Sequence, residues 1–262
     1  MNQQLRLNKF LAERLGVSRR EADELIAAGK VTINGQKAII GNKIDRTSKV
    51  CYNNKLIPFD TDFLYLAFNK PVGYVCSRHA QGPSPTIYEI LPKKYHNLKT
   101  VGRLDKDSSG LILLTNDGDF AYQMTHPKFH KEKVYEVELD KPLEPLHQQM
   151  ISDFGVMLDD GPSRCIVLTD ELAKPLSRGI RSRYEDSATS PVKTGARSVP
   201  RKTVSQAHYL VTLTEGRNRQ IRRTFAALGY KVVKLHRTQF GKYELGNLAF
   251  GKYDIIKIWA LF

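Results

Sequence analysis

The segment from Gly102 to Asp119, GRLDKDSSGLILLTNDGD, concentrates carboxylates, serines and glycines around a run of four apolar residues. Its composition allows two kinds of chemistry. Asp105, Asp107 and Ser109 occupy positions one, three and five of an EF-hand calcium loop. Alternatively, a carboxylate at the start of a strand takes part in a reaction as a nucleophile or a base.

The calcium interpretation fails on the rest of the segment. Position twelve of the loop should be a bidentate glutamate, but it is Asn116, and the flanks TVGRL and LILLTN have strand rather than helix character. His126 and His130 are four residues apart, but Pro127 argues against a helical pair of metal ligands. The sequence therefore predicts no metal site.

The charge of the chain indicates a polyanionic partner. Its 262 residues contain 41 Lys and Arg against 27 Asp and Glu, a net charge of +14, and such an excess favours nucleic acid. The three cysteines are too far apart for a metal or disulfide framework. No signal peptide or membrane segment of about 20 apolar residues is apparent. We therefore expect a cytoplasmic protein, monomeric and without membrane association.

The first sixty residues predict a small unit of two helices and short strands. LRLNKFLAERLG has helical spacing of apolar residues, and Ser18 with Glu21 forms a capping box for a second helix that Gly29 ends. VTINGQKA predicts a hairpin with Asn34-Gly35 at its turn, and a second strand pair is expected around Asn53-Asn54.

The rest of the chain predicts an α+β domain with a mixed, largely antiparallel sheet. LYLAF, GYVCS, LILLT, KVYEVEL, HYLVTLT and KVVKLHR read as strands, and Asp117-Gly118 reads as a turn. Helices are expected over Pro145–Ser152 and Arg219–Leu228. We divide the chain into domains 1–60 and 61–262, with a polar, basic, mobile insert at 172–206.

The segment RLNKFLAERLGVSRREADELIAAGKVTINGQ resembles the S4 RNA-binding domain. Residues 1–57 contain eleven Lys and Arg against five acids, a local excess of +6. This density favours a surface that binds the RNA backbone over an ordinary solvated helix face. The expected contacts are Arg6, Lys9, Arg19 and Arg20.

GRLDKDSSGLILLTNDG resembles the central motif of the pseudouridine synthases, in the RsuA branch that acts on ribosomal RNA. NKPVGYVCS, KVYEVEL and EGRNRQIRR match its other motifs in order. The resemblance implies an isomerase that needs no cofactor and acts on ribosomal RNA, free or in a partly assembled subunit. The S4 and GRLD segments look closer to large-subunit modifiers, although GYVCS is similar to the small-subunit enzyme, so we expect the large subunit.

The resemblance also implies roles for individual residues. Asp105 matches the catalytic aspartate, and Arg222 matches the basic residue that pairs with it. Tyr135 matches the tyrosine that stacks on the flipped base and handles the C5 proton, with Ile221 packed under its ring. Arg103, next to Leu104, occupies the position of the arginine that fills the space left by the base.

The segment 215–237 carries seven Lys and Arg against a single acid, which predicts phosphate contacts around the pocket. Asp107 is interpreted as a turn residue whose side chain bonds the backbone of the following corner. The expected RNA contacts outside the S4 segment are Lys70, Arg217, Asn218, Arg219 and Lys234.

Two alternatives remain at this point. One is a synthase of the same family that modifies transfer RNA. The other is a non-catalytic RNA-binding or ribosome-assembly factor, which the S4 segment and the charge alone would permit. The joint presence of Asp105, Tyr135 and Arg222 favours an enzyme, because binding alone needs no carboxylate in a basic pocket.

Overall fold

Separate apolar cores organise the chain, which a computed structural model describes over residues 4–60, 62–78, 82–169 and 207–256. An N-terminal core gathers Leu7, Phe10, Val31 and other residues up to Ile57. Two further clusters cover the two faces of a large sheet. The predicted boundary after residue 60 falls between these cores and stays a prediction.

The N-terminal unit consists of two helices and two small sheets, as its sequence predicts. A four-stranded sheet has the order β3-β2-β5-β6, and β1 pairs with β4. The elements are β1 (Leu5–Arg6), α1 (Leu7–Arg14), α2 (Arg19–Ala27), β2 (Val31–Ile33), β3 (Gln36–Lys37), β4 (Lys43–Ile44), β5 (Val50–Tyr52) and β6 (Lys55–Leu56).

Local signals of this unit are confirmed in detail. The Ser18 hydroxyl accepts from the Glu21 backbone N–H, and the Glu21 carboxylate accepts from the Ser18 N–H, which completes the capping box at α2. Asn34-Gly35 and Asn53-Asn54 all have positive φ, between 48° and 84°. Two-residue hairpin turns need this backbone conformation at both central positions.

Within the described residues, the second part of the chain contains a nine-stranded sheet, a separate two-stranded sheet formed by β11 and β12, and three α-helices. Its strands are β7 (Tyr65–Lys70), β8 (Lys99–Val101), β9 (Ser109–Thr115), β10 (Lys133–Leu139), β11 (Val156–Leu158), β12 (Gly161–Ser163), β13 (Ile166–Thr169), β14 (Ala207–Leu213), β15 (Val232–Phe240), β16 (Tyr243–Glu244) and β17 (Tyr253–Ile255). The helices are α3 (Gly118–Thr125), α4 (Pro145–Gln149), which a π-helical turn Met150–Phe154 continues, and α5 (Gln220–Ala227), and 3-10 turns cover Ile87–Glu89, Lys93–Tyr95 and Pro127–Phe129.

The large sheet has the order β13-β14-β10-β15-β9-β7-β17, with β16 beside β15 and β8 beside β9. Its pairs are antiparallel except for β9 with β15, which are parallel. Leu111 and Leu113 of β9 enter one apolar cluster, whereas Ile112 and Leu114 enter the other, so the strand is buried on both faces. The predicted α+β class with a mixed, largely antiparallel sheet is confirmed.

The parallel junction depends on a glycine. Gly110 lies opposite Arg237 in the register of β9 and β15, with φ of +107°. A Cβ at this position would be 2.2 Å from the Arg237 carbonyl oxygen and 2.5 Å from its nitrogen. Only glycine permits this approach of the two backbones.

The N-terminal unit is held against the second part through the end of α1. Arg78 donates to the Gly16 carbonyl at 2.6 Å and to the Asn97 carbonyl. Lys99 donates to the carbonyls of Ala12 and Val17. We call Arg78 and Lys99, with the carbonyls of Ala12, Gly16 and Val17 that they bind at and just after the end of α1, the interdomain clamp.

Lys9, which is predicted as an RNA contact, has an ionic partner within the protein. Its Nζ lies 2.5 Å from Asp119 Oδ1 of the second part of the chain, and its side chain is 21% exposed. The ammonium group therefore joins the two units and already has a carboxylate partner. Arg6, Arg19 and Arg20 are exposed.

Some of the predicted elements differ from the structure. GYVCS does not form a strand; it contributes an isolated bridge between Val75 and Thr86. Asp117 is the N-cap of α3 rather than a simple turn residue, because its carboxylate accepts from two backbone N–H groups of the first helical turn. The predicted insert at 172–206 lies outside the described residues. Among those described, no helix has the length and apolar character to cross a membrane.

Replacement of Gly110 by alanine should destabilise the protein by at least about 2 kcal/mol, because the new methyl group collides with the β15 backbone. Gly73→Ala is the matched control: Gly73 also has a positive φ, of +97°, but no atom lies within 4 Å of the added Cβ. Urea unfolding of both variants separates backbone strain from collision. Equal destabilisation of the two variants would contradict the role assigned to the close approach.

Candidate active site

A cavity of about 260 Å³ lies between the loop that precedes β9, the strands β10 and β15, and the start of α5. It brings together four distant segments of the chain, near residues 102–108, 124–135, 213–221 and 235–240. Most of the predicted site residues of the second part line it, namely Arg103, Leu104, Asp105, Tyr135, Arg217, Asn218, Arg219 and Ile221. Arg222 is not part of the lining.

Hydrogen bonds with Gly73 and Cys76 hold the loop that carries Asp105. The Gly73 N–H donates to the Lys106 carbonyl at 2.7 Å, and the Leu104 N–H donates to Cys76 Sγ at 3.4 Å. The Asp105 side chain is 32% exposed at the cavity, and Arg219 Nη1 lies 3.8 Å from its Oδ2. A carboxylate with a cation beside it thus faces the cavity.

The expected pairing of Arg222 with Asp105 is not present. Arg222 instead donates to the carbonyls of Val232 and Asp107, each at 2.9 Å, and its Nε lies 3.3 Å from Asp107 Oδ2. Arg219 occupies the place beside Asp105. Arg222 therefore acts on the Asp105 loop through the backbone and side chain of Asp107.

Asp107 lies in a turn, as predicted, but the partners of its carboxylate are arginines and not the backbone of the following corner. Its carboxylate forms a two-pronged pair with Arg219, with both N–O distances at 3.0 Å. Partial burial opposes ionisation, but hydrogen bonds from Arg219 and the charges of Arg222 and Arg219 outweigh it and lower the pKa of Asp107. This ion pair ties the Asp105 loop to the start of α5.

Tyr135 and Ile221 form the apolar part of the cavity wall, and they are 8% and 4% exposed. Sequence reasoning missed the residue that accompanies them. Arg237 of β15 lies directly opposite Tyr135 of β10, and Arg237 Nη1 lies 3.5 Å from the Tyr135 hydroxyl oxygen. Arg237 stands two residues after the buried Leu235, so alternation along the strand could have placed it on the inner face.

Lys70 is wrong as an RNA contact because its side chain is fully buried. Its Nζ donates to the Ser108 carbonyl at 2.6 Å and to the Pro71 carbonyl at 3.0 Å. Burial lowers the pKa of Lys70 to about 8, although the neighbouring Cys76 and Asp105 favour the charged form. Lys70 supports the Asp105 loop from inside the protein.

A second, half-buried lysine, Lys133, adds to the positive character of the cavity. Burial, together with the charge of Arg237, lowers the pKa of Lys133 to about 8. Its Nζ donates to the backbone carbonyls of Lys131 and Glu215. The cationic residues of the lining are Arg103, Lys131, Lys133, Arg217, Arg219 and Arg237.

The predicted phosphate contacts differ in their exposure to solvent and in their partners within the protein. Arg217 is 20% exposed, and its guanidinium binds Asp160 and the carbonyls of Gly161 and Pro162, so it anchors a neighbouring loop instead of facing outward. Asn218 and Lys234 are exposed. No group of three or more His, Cys, Asp or Glu in the described part of the chain is arranged to hold a metal ion.

Comparison with known proteins identifies the class of both parts of the chain. Residues 64–227 match the family model described as RNA pseudouridylate synthase, and residues 5–44 match the S4 domain. The chain therefore belongs to the RNA pseudouridylate synthase family, and it is an isomerase with an N-terminal S4 domain.

Within the family, the chain is of the RsuA type. It is similar to ribosomal small subunit pseudouridine synthase A of Pasteurella multocida, with 36% identity over 95% of this chain and 94% of the relative. The protein of the same name from Escherichia coli is 31% identical, with 95% of each chain covered. A solved structure described as pseudouridylate synthase is 30% identical and has a TM-score of 0.60, with 97% of this chain and 96% of the other covered.

The buried Lys70 predicts a specific alkaline pH dependence of stability. Its pKa is about 8 in the folded protein, against an ordinary lysine value of 10.5, so the unfolded chain binds more protons between these two pH values. The free energy of unfolding of the wild type, relative to that of Lys70→Met, should therefore increase as the pH rises from 8 to 10.5. It should decrease again as the pH falls towards 8.

Urea unfolding at pH 7.5, 9 and 10.5 measures this difference. Lys55→Met, which removes an exposed lysine of β6, controls for the general effect of deleting one positive charge. A stability difference between wild type and Lys70→Met that stays constant over this range would show that Lys70 does not change its protonation there.

Proposed function

We propose that the chain converts a uridine of small-subunit ribosomal RNA into pseudouridine in the cavity around Asp105. The relatives named above are described as acting on the ribosomal small subunit, and they align over nearly the whole chain. The names of these relatives do not favour the large ribosomal subunit, which the S4 and GRLD segments of the sequence predicted as the substrate. Their names equally favour ribosomal RNA over transfer RNA.

The observation that carries the proposal is the position of Asp105. Its carboxylate is partly exposed at a cavity that is walled by the Tyr135 ring and Ile221, with Arg219 3.8 Å away. An apolar slot next to a carboxylate and several cations suits a flat, neutral base that is attached to a charged backbone.

The reaction moves a bond and a proton and leaves the oxidation state unchanged. The N1–C1′ bond of uridine breaks, the uracil turns, C5 bonds to C1′, and the C5 proton is lost while N1 gains one. Asp105 acts at the sugar or at the base in the bond-breaking half of this sequence. Tyr135 stacks on the uracil and handles the proton in the second half.

The target base must leave its stack before it can reach this cavity, which costs a few kcal/mol. Arg103 lies exposed at the rim, next to the buried Leu104. Its guanidinium makes no hydrogen bond or ion pair within the described residues. A long, unpaired cation at this place can enter the RNA and fill the space that the extruded base leaves.

RNA binding is shared by two exposed basic surfaces. In the N-terminal unit, Arg19 and Arg20 lie in the first turn of α2 and Arg6 precedes α1, all exposed. Near the cavity, Lys234 and Asn218 are exposed. These groups contact the RNA backbone and set its register, whereas the cavity acts on a single nucleotide.

Asp105→Asn should abolish turnover, because the amide keeps the size of the side chain but lacks the negative charge. Release of tritium from a small-subunit ribosomal RNA transcript labelled at uridine C5 measures turnover, and a filter-binding titration measures affinity. We expect release to fall below detection while affinity changes by less than about three-fold.

Asp153→Asn, an exposed carboxylate of the π-helical turn away from the cavity lining, is the matched control and should be fully active. Normal turnover of Asp105→Asn would exclude Asp105 as the reacting group. Tritium release from a large-subunit transcript but not from the small-subunit transcript would overturn the proposed substrate.

Charge reversal at both Arg19 and Arg20 should reduce the slope of log K against log salt by about 1.5, since each phosphate contact contributes about 0.7 to 0.9. Lys49→Glu with Lys55→Glu is the matched control, because it makes the same change in net charge at exposed positions elsewhere in the unit. Equal slopes for the two double variants would show that α2 does not dock the RNA.

A further inference from the structure

Arg237 is an arginine in the protein interior that pairs with no acidic side chain of the described residues. It is 2% exposed, and no carboxylate of the described residues forms an ion pair with it. Its Nε donates to the Leu111 carbonyl at 2.7 Å, whereas its Nη2 is buried and has no hydrogen-bond partner in the part of the chain that the structure describes. A cation buried in this way is costly to the folded protein.

The surroundings of Arg237 hold the guanidinium in one place. Its Cζ lies 5.0 Å from the centre of the Phe240 ring and 6.0 Å from that of Tyr135. The backbone of Arg237 is seated directly on Gly110, at the parallel junction of β9 and β15. Both the backbone and the side chain are thus set before any substrate enters.

The guanidinium of Arg237 contacts the hydroxyl group of Tyr135. The two residues are direct partners across β10 and β15, and Arg237 Nη1 is 3.5 Å from the hydroxyl oxygen. Two other cations of the cavity have partners elsewhere: Arg219 pairs with Asp107, and Lys133 donates to backbone carbonyls. Because Arg237 donates to the Tyr135 oxygen, the hydroxyl proton is left free to point elsewhere.

We propose that Arg237 is a positioning residue that orients the Tyr135 hydroxyl and stabilises the negative charge on its oxygen while a proton moves from C5 to N1 of the uracil. The inference rests on the proposed function of the cavity. It assigns a role to a buried cation that would otherwise only destabilise the fold.

The proton balance of this step requires such a cation. After C5 bonds to C1′, the uracil holds an N1=C6 double bond and a C5–H bond. Tyr135 gives its hydroxyl proton to N1 and then takes the C5 proton, and the C5–H electron pair forms the C5=C6 double bond. Tyr135 ends as it began, but it carries a negative charge between the two transfers, and Arg237 lies beside that charge.

A substrate that skips this proton transfer separates the role of Arg237 from all earlier steps. In RNA made with 5-fluorouridine, C5 carries fluorine, which cannot leave as a cation. The rearranged base then adds water across N1=C6 instead. Water supplies both the hydroxyl group on C6 and the proton on N1, so Tyr135 transfers no proton. Bond cleavage, turning of the base and rejoining at C5 are common to both RNAs.

Single-turnover rates are therefore measured for wild type, Arg237→Met and Arg237→Lys with saturating small-subunit transcripts that contain either uridine or 5-fluorouridine. Tritium release follows the uridine RNA, and mass spectrometry of the digested RNA follows the fluorinated product. Arg237→Met should lose at least about 100-fold on uridine RNA. It should stay within about three-fold of wild type on the fluorinated RNA, and Arg237→Lys should recover part of the loss.

Arg223→Met is the matched control, because it also removes one arginine charge, but from an exposed pair with Asp160 outside the cavity lining. It should change neither rate. Melting temperatures check the fold: with no carboxylate left unpaired, Arg237→Met should melt within about 4 °C of wild type.

Two results would overturn the inference. If Arg237→Met lost equal rate on both RNAs, Arg237 would act in base binding or folding. If it lost rate on neither RNA, Arg237 would have no role in the reaction. Wild type that fails to release tritium from uridine RNA would instead overturn the proposed function. The two failures are therefore distinguishable.

Discussion

The catalytic part of the chain depends on the parallel pairing of β15 with β9, which the absence of a side chain at Gly110 makes possible. From this junction the chain runs back within five residues to Asp105, and across it stands Arg237, opposite Tyr135. One close backbone approach thus sets the relative positions of the carboxylate, the aromatic ring and the buried cation. A side chain at position 110 would separate the strands and, with them, the two halves of the cavity wall.

The Asp105 loop receives its shape from ionic and polar groups on both of its sides. Asp107 binds Arg219 and Arg222 on the outside, and the buried Lys70 donates to the loop backbone on the inside. Of these groups, Asp107, Arg222 and Lys70 do not line the cavity. Their effect is to leave Asp105 with few conformations, so that its carboxylate faces the cavity beside Arg219.

Sequence reasoning succeeded where the information is local or carried by a motif. The capping box at Ser18, the hairpin turn at Asn34-Gly35 and the mixed sheet follow from neighbouring residues and from strand patterns, and the motifs identified the family. It failed where partners come from distant strands. The partner of Asp107 lies 112 residues away, and the burial of Lys70 depends on how β7 pairs with β9. Arg237 was missed for the same reason, since its pairing with Tyr135 exists only in the folded sheet.

The interdomain clamp has a consequence for how a target could be chosen. Arg78 and Lys99 bind carbonyls at the end of α1, so the N-terminal unit and the cavity are joined at a set separation. If RNA docks on α2 as proposed, this separation selects the target by distance. Only a nucleotide that lies at a matching distance from the docked part of the folded RNA reaches Asp105. Selection by span needs no contact with the neighbouring bases, and an RNA of the right sequence in the wrong shape would be passed over.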